Sequence, residues 1–396
     1  MRATLTGRLA LVYNAETYRR VVGGKDVIIH CHHYNSRIQR TIEGAAEIDG
    51  RGLLVAAAEE VFAEHLAANL REDDSMASRW AMAELLYSHL GYGCIDLSRV
   101  EQGEVVAPSS HFVEGWLAGL GQRDAPVCSF TEGYLQGAIF AASGELVRVR
   151  EVECMATGAA RCRFTVERGR EEPIARAPRA PATLAAAPQS AYLRSPNVDE
   201  EAIIAAVVGM PIYGNLDGLI PAFGVYLANT PADFYNLVSI RFVEAMAARR
   251  REKTARRLLI EDAETCGMNT FRGIMSSTEW EGLIAPMIRA PADNLHALVA
   301  VSNALGWGDW HICSHTPGLS LTLESRSGYE ALGYREYRGV ADQPCCSMLT
   351  GVAAGLMELV YGEGTLAERF GTFTSSESSC ICSGEPLCRF EVERVV

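Results

Sequence analysis

The sequence has 396 residues, of which 48% are hydrophobic, and a formal net charge of −13 with a pI near 5.3. This length allows two or three globular domains, and the acidic balance argues against a nucleic-acid-binding surface, which needs basic stripes. The start lacks the apolar core of a signal peptide and no later apolar stretch could span a membrane, so we expect a cytoplasmic protein whose twelve cysteines are ligands, reactive thiols or buried side chains rather than disulfides.

The first unusual segment is a histidine-rich stretch, which we predict to be a strand over Val27–Asn35. On a strand, His30 and His32 would share one face, and Cys31 and His33 the other. Two imidazoles at this spacing can chelate a transition metal or act as proton donors and acceptors, which makes His30, His32, His33 and the adjacent Tyr34 candidate catalytic and ligand-binding residues. The alternative is a half-exposed strand whose histidines bond to neighbouring backbone.

Helical periodicity follows this stretch and recurs in the second part of the chain. Apolar residues at helical spacing predict helices over Leu53–Leu70 and Ser78–Leu90, and again over Ala232–Ala248 and Ala292–Leu305. Between these pairs, residues 167–198 are rich in proline, alanine and arginine, which is typical of an extended linker. We therefore expect a first domain at 1–166, a linker at 167–198 and a second domain at 199–396.

The two parts of the chain share landmarks in the same order, which indicates an internal repeat. An aromatic residue between two glycines, Gly91-Tyr92-Gly93, corresponds to Gly306-Trp307-Gly308. A Pro-x-Cys segment ending at Cys128 corresponds to one ending at Cys346, and glycines follow each cysteine at the same two offsets. Gene duplication is the simplest explanation.

The closing segments carry the chemistry of the repeat. In each copy a glutamate lies three residues before a cysteine, and a second cysteine follows eight residues later with a glycine between them, suited to a tight turn. Together with the earlier cysteine, this gives three thiolates and one carboxylate, a set that suits a closed tetrahedral zinc site. A disulfide between Cys154 and Cys162 and a set of inert buried cysteines are the alternatives.

At these residues the sequence resembles the 4-vinyl-reductase-type domain family, which includes bacteriochlorophyll 4-vinyl-reductase-like proteins and the sensor module of activators of aromatic catabolism. The resemblance covers Gly91–Val166 well and Gly306–Glu393 more loosely. It implies a zinc ligand set in the first copy, which falls on Cys128, Glu151, Cys154 and Cys162. Cys128 and Glu151 are 23 residues apart, as the family pattern expects.

The second copy departs from the pattern. Its proposed ligands are Cys346, Glu377, Cys380 and Cys388, but Cys346 and Glu377 are 31 residues apart. About eight extra residues around 361–371 must therefore loop out. Cys345 and Cys382 are spare thiols beside this site, and either is able to replace the glutamate.

The family's sensors hold an aromatic ligand in an apolar pocket, which makes several further side chains candidates here. The ligand-binding residues predicted besides the histidine-rich stretch are His111, Trp116, Phe130 and Tyr134, although an aromatic stripe of this kind is also typical of a core. The tryptophan of the sensor pattern is missing at its usual distance before Cys128. Phosphate-loop, recognition-helix and dinucleotide-binding motifs are also missing, so no ATPase, DNA-binding or nicotinamide module is expected.

The resemblance and the repeat together predict an α/β (α+β) protein of two tandem 4-vinyl-reductase-like domains, each an antiparallel sheet flanked by helices, related by a pseudo-twofold axis. We expect two zinc sites and a pocket for a small hydrophobic, aromatic or heteroaromatic molecule. The function expected is that of a sensor or carrier that signals to a protein partner, with no nucleic acid or membrane span and a homodimer left open. The alternative is a metalloenzyme that acts on the ligand, with an additional metal at the His30, His32 and His33 cluster; a third is a scaffold whose domain pair mimics a dimer.

Overall fold

A computed structural model of the chain describes residues 5–181, 183–186 and 190–395. Its helices and antiparallel sheets make the protein an α+β fold, as the sequence predicts. In the described residues, no helix is both long and apolar enough to cross a membrane.

Residues 5–168, called the first half, begin with a hairpin and end with another. Its strands are β1 (Leu11–Asn14), β2 (Arg19–Val22), β3 (Lys25–Cys31), β4 (Gly93–Asp96), β5 (Glu104–Ser110), β6 (Val147–Glu153) and β7 (Cys162–Arg168). Its helices are α1 (His32–Glu43), α2 (Gly50–Ala67), α3 (Met76–His89), α4 (His111–Leu120) and α5 (Ser129–Ser143). Side-chain caps fix three of these starts, since Asp49, Ser75 and Ser110 each accept a hydrogen bond from a first-turn backbone N–H.

Residues 199–395, called the second half, repeat this order after an added first helix. Its strands are β8 (Ile220–Ala222), β9 (Val225–Pro231), β10 (His311–Thr316), β11 (Ser320–Ser325), β12 (Phe373–Ser379) and β13 (Cys388–Arg394). Its helices are α6 (Glu200–Gly209), α7 (Ala232–Ala247), α8 (Glu252–Met275), α9 (Thr278–Leu283), α10 (Pro291–Ala304), α11 (Tyr329–Arg338), α12 (Ser347–Tyr361) and α13 (Leu366–Arg369). The short helix α13 lies in the insertion predicted between Cys346 and Glu377.

The strands form three antiparallel sheets. Each half has a four-stranded sheet of the same topology, β4-β5-β7-β6 in the first and β10-β11-β13-β12 in the second. The third sheet has the order β1-β2-β3-β9-β8, so it joins the opening hairpins of both halves through the β3–β9 pair. The two halves are therefore intertwined through a shared sheet.

The main helix pair of each half packs at unusually close range, α2 against α5 and α8 against α12. A Cβ atom at Gly133 would lie 2.2 Å from the Val55 carbonyl oxygen, and one at Gly351 would lie 2.2 Å from that of Ile260. These glycines are among the repeated landmarks of the sequence. Their spacing is required by backbone contact between helices, and it holds the start of α5 and of α12 against the closing hairpin.

Candidate metal centres

The first centre is built where three elements of the first half meet. Cys128 is the residue immediately before α5, Glu151 lies on β6, Cys154 follows β6, and Cys162 opens β7. A turn of 3₁₀ helix at Met155–Thr157 ends at Gly158, whose φ of +95° is a left-handed conformation that favours glycine. This turn brings the second cysteine of the clasp back beside the first, as predicted.

The ligating atoms of the first centre converge in the interior. Those of Cys128, Glu151, Cys154 and Cys162 all lie within 4.8 Å of one another, and all four residues are buried. The Sγ atoms of Cys128 and Cys162 are 3.8 Å apart. Four ligating atoms at this range could hold a metal ion, and their separations leave the three thiols unbridged by disulfides.

The carboxylate of Glu151 is oriented for a further partner. Its Oε2 accepts a hydrogen bond from the backbone N–H of Cys128 at 2.8 Å, while its Oε1 is buried without a hydrogen-bond partner. The backbone N–H of Met155 donates to the Cys162 sulfur at 3.5 Å. A cation bound among these residues would satisfy the buried oxygen, so the donor set fits a metal.

The second centre repeats this arrangement with residues of the second half. The ligating atoms of Cys346, Glu377, Cys380 and Cys388 lie within 4.8 Å of one another. The backbone N–H of Cys346 donates to Glu377 Oε2 at 2.9 Å, and Glu377 Oε1 is buried without a partner. The same geometry therefore occurs twice, although the sequence interval differs by the insertion.

Burial shifts the acidity of both carboxyl groups. It raises the pKa of Glu151 to about 8 and that of Glu377 to about 9, with the charge of the nearest cysteine, Cys154 or Cys380, as the second cause. Burial also raises the pKa of Cys128 and Cys346 well above the usual thiol value. Such buried acids favour a bound positive charge, whether protons or a metal ion.

The histidine-rich stretch does not form one strand. Strand β3 ends at Cys31, and His32 and His33 lie in the first turn of α1. The prediction that His30 and His32 share a strand face is therefore wrong. In the described residues, no group of metal-ligating atoms includes a histidine.

His30 lies in an aromatic cluster that combines both halves. Its ring is 4.4 Å from that of Tyr34, 4.8 Å from that of Tyr235 and 5.2 Å from that of Trp307, centroid to centroid. The residue is 3% exposed, its Nε2 has no hydrogen-bond partner, and burial lowers its pKa to about 3. His30 is consequently neutral in the folded protein.

A second buried histidine, His111, is connected to the same cluster by hydrogen bonds. The Tyr235 hydroxyl donates to Asn35 Oδ1 at 2.5 Å, and the Asn35 amide group lies 2.9 Å from His111 Nε2. Nδ1 of His111 is buried without a partner. Tyr235 belongs to the second half, and sequence reasoning missed it, as it missed Trp307 as a neighbour of His30. The Gly-aromatic-Gly landmark was the signal available for Trp307.

The other predicted ligand-binding residues lie in two separate places. Phe130 and Tyr134 pack into the first half's core, with the Phe130 ring 4.6 Å from Tyr92 and the Tyr134 ring 4.8 Å from Phe62. Trp116 instead lies under the guanidinium of Arg123, 4.7 Å from its ring centre. The aromatic stripe is thus largely core, the alternative that the sequence left open.

His32 lines a surface cavity of about 610 Å³ between the halves. The backbone N–H of Tyr226 donates to His32 Nδ1 at 3.0 Å, so the neutral ring carries its hydrogen on Nε2. Burial lowers the pKa of His32 to about 4. The cavity's other walls come from α4, the β8–β9 hairpin and the start of α9; they include Glu114, Phe223, Tyr226 and Ser277.

Comparison with known proteins gives one family match, over residues 115–168, to the 4-vinyl-reductase domain. Among solved structures, the chain is similar to the phenol-responsive sensory domain of the transcription activator PoxR, in its crystal structure with phenol. The identity is 21%, the match covers 42% of this chain and 90% of that chain, and the TM-score of 0.35 supports no further argument. No curated protein matches. The segment that matches the family contains all four ligating residues of the first centre.

Proposed function

We propose that this chain is a zinc-stabilised small-molecule-binding protein, a sensor or carrier for a hydrophobic, aromatic or heteroaromatic ligand. The observation that carries the proposal is that the family match encloses Cys128, Glu151, Cys154 and Cys162, whose ligating atoms converge. That segment resembles the sensor modules of aromatic catabolism, in which binding is the function. The cytoplasm is the compartment in which such thiols stay reduced.

Zinc is the metal proposed for both centres. Three soft sulfurs and one carboxylate oxygen in a closed, buried group suit a tetrahedral structural site and disfavour calcium or magnesium. The ion would join the start of α5 to the closing hairpin β6–β7, and likewise α12 to β12–β13. No open coordination position is needed for this role.

The proposed organisation is two tandem 4-vinyl-reductase-like domains, at 1–166 and 199–396, joined by the linker 167–198. The matching order of elements and the pair of four-stranded sheets support it. Between Arg168 and Glu200, the described residues include no helix or strand. The pairing of β3 with β9 would place the pseudo-twofold axis in the shared sheet.

We place the ligand in the cavity beside His32. Its volume of about 610 Å³ lies in the range that holds drug-sized molecules, and Phe223 and Tyr226 give it aromatic walls. The Nε2 hydrogen of His32 would donate to a polar group of the ligand, such as a phenol oxygen. The interior rings of Phe130 and Tyr134 already contact their neighbours, which makes the interior a poorer site.

The test combines zinc analysis with calorimetric titration of phenol and larger aromatic compounds into the full chain. We expect zinc in both centres and binding that His32→Ala weakens at least about tenfold, the value of one good hydrogen bond to a buried partner. His33→Ala is the matched control, because His33 is adjacent but lies outside the cavity lining. Equal binding by both variants would reject this ligand site, and a zinc-free folded chain would reject the metal role.

A further inference from the structure

The second centre contains two thiols that the first centre lacks. Cys345 directly precedes the ligand Cys346, and Cys382 lies two residues after the ligand Cys380. In the first half, the corresponding positions are Val127 and Ala156, both buried and apolar. The added thiols are therefore a difference between two otherwise repeated sites.

These thiols form a second group that overlaps the four-ligand set. The Sγ atoms of Cys345, Cys380 and Cys382 lie within 4.8 Å of one another, and those of Cys380 and Cys382 are 3.1 Å apart. Cys380 Sγ is also 3.8 Å from Cys346 Sγ and 3.7 Å from Cys388 Sγ. Cys380 thus belongs to both groups at once, and a thiolate sulfur has enough lone pairs to bind two metal ions.

Backbone contacts hold the added thiols in place. The carbonyl of Cys382 accepts a hydrogen bond from the Ala341 N–H at 2.8 Å, which joins the turn at Ile381–Ser383 to the loop before α12. The backbone N–H of Cys382 donates to the Cys380 sulfur at 3.4 Å. Cys382 is fully buried and Cys345 is half-buried, so the group has one wall open to an external ligand.

Charge also distinguishes the two centres. Five thiolates and one carboxylate would carry six negative charges in a buried space, against four in the first centre. One divalent ion offsets two of them, and the repulsion among the remaining charges is costly at low dielectric. A second soft cation at the added thiols would reduce this repulsion and match the preference of sulfur ligands.

We propose that the second centre binds two thiophilic d¹⁰ ions of the zinc class that share Cys380. One ion is held by Cys346, Glu377, Cys380 and Cys388, as in the first centre. The other is held by Cys345, Cys380 and Cys382, and its remaining position is open to water or an external thiol. Only the ion with the four-ligand set rests on the proposed function above.

The test is the zinc count of the full chain, measured by native mass spectrometry after loading with zinc and removal of the excess. We expect three zinc ions in the unmodified chain, and two in the double variant Cys345→Ala with Cys382→Ala. Cys313→Ser is the matched control and should keep three, because Cys313 is half-buried on β10 and belongs to no ligand group. Cys345→Ser alone, a milder change at a half-buried position, should also lose one ion.

The outcomes separate this inference from the function it partly rests on. Two zinc ions in the unmodified chain, one in each centre, would overturn the shared site and leave the structural zinc role intact, as would a disulfide between Cys345 and Cys382 in the zinc-loaded protein. A chain without zinc would overturn both. Cadmium loading gives an independent measure: we expect three ¹¹³Cd resonances, two of them coupled through the Cys380 sulfur, and three uncoupled resonances would contradict sharing.

Discussion

Ile29 and Asn229 lie opposite each other on β3 and β9, and each occupies the same place in its own half, two residues before the last residue of its strand. Neither residue bonds its amide to the other. The Ile29 N–H donates to the Leu305 carbonyl at 3.0 Å, and the Asn229 N–H donates to the Leu90 carbonyl at 2.9 Å. Each half therefore satisfies the backbone of the other at its helix exit.

This exchange predicts that the full chain unfolds in one cooperative transition. The shared sheet and the crossed hydrogen bonds mean that losing one half exposes the strands and backbone groups of the other. Differential scanning calorimetry should give a single peak whose calorimetric and van't Hoff enthalpies agree. Two resolved peaks would show that the halves are energetically independent.

The aromatic residue of each Gly-aromatic-Gly landmark should stabilise the contact between the halves. Trp307 Nε1 donates to the Ile29 carbonyl at 3.0 Å, and the Tyr92 hydroxyl donates to the Asn229 carbonyl at 3.3 Å. Trp307→Phe leaves a buried carbonyl without its donor, and we expect a loss of about 1–3 kcal/mol in unfolding free energy. Tyr92→Phe is the matched variant, whose longer hydrogen bond predicts a smaller loss in the same denaturant titration.

Removal of one thiol should empty the first centre. Cys154→Ser replaces a soft ligand and leaves the buried Glu151 carboxylate without its cation, so we expect one fewer zinc ion and a loss of more than about 3 kcal/mol in stability. Zinc analysis and chemical denaturation check this together. Cys313→Ser is the control, and equal stability of the two variants would argue against a structural metal.

Acid should destabilise the protein through His30. Burial lowers the pKa of His30 to about 3 from an ordinary value of 6.5. Below pH 6.5 the unfolded chain takes up a proton that the folded chain does not, so stability falls as the pH drops from 6.5 towards 3, by at most about 1.4 kcal/mol per pH unit. His30→Phe should flatten this part of the stability curve, whereas His33→Asn, at the surface end of α1, should not.

A buried carboxyl pair predicts the opposite pH dependence. Burial, with repulsion from Glu358 second, raises the pKa of Glu264 to about 8 from 4.5. The unfolded chain loses this proton first, so stability falls as the pH rises from 4.5 to 8. Glu264→Gln should therefore raise the melting temperature at pH 8 and change it little near pH 4.5.

The first half offers a control of opposite sign for this pair. Glu59 occupies the position of Glu264, because Gly133 and Gly351 approach these two residues in the same way. It forms an ion pair with Arg170 instead of facing a second carboxylate. Glu59→Gln should lower the melting temperature at pH 8, and a rise in both variants would contradict the role assigned to the pair.

The clasp was predictable from the sequence because its geometry is local. Glu151, Cys154 and Cys162 lie within a single hairpin, and the spacing with its glycine leaves few ways to fold the chain. Cys128 was identified through the repeat and the family resemblance. Likewise, the gap between Cys346 and Glu377 indicated an insertion, which contains α13.

The histidine-rich stretch was misread for a reason of tertiary structure. The residues around His30 to Asn35 have no strong periodicity of either kind, so the strand pattern extended past its true end at Cys31. What ends the strand is the packing of α1 on α4 and α8, and a Cβ at Gly115 would lie 2.6 Å from the His32 carbonyl oxygen. Such long-range contacts override local propensity.

The sequence by itself determined the α+β class, the repeated order of elements and the ligand sets that converge at both candidate metal centres, because hydrophobic periodicity and short cysteine spacings are local properties of the chain. Only the tertiary structure decided that the two opening hairpins form one sheet, that Trp307 and Tyr235 surround His30, and that His32 faces a cavity between the halves. Those contacts join residues about 200 or more positions apart, where burial and backbone hydrogen bonding select the partner and no local pattern records it.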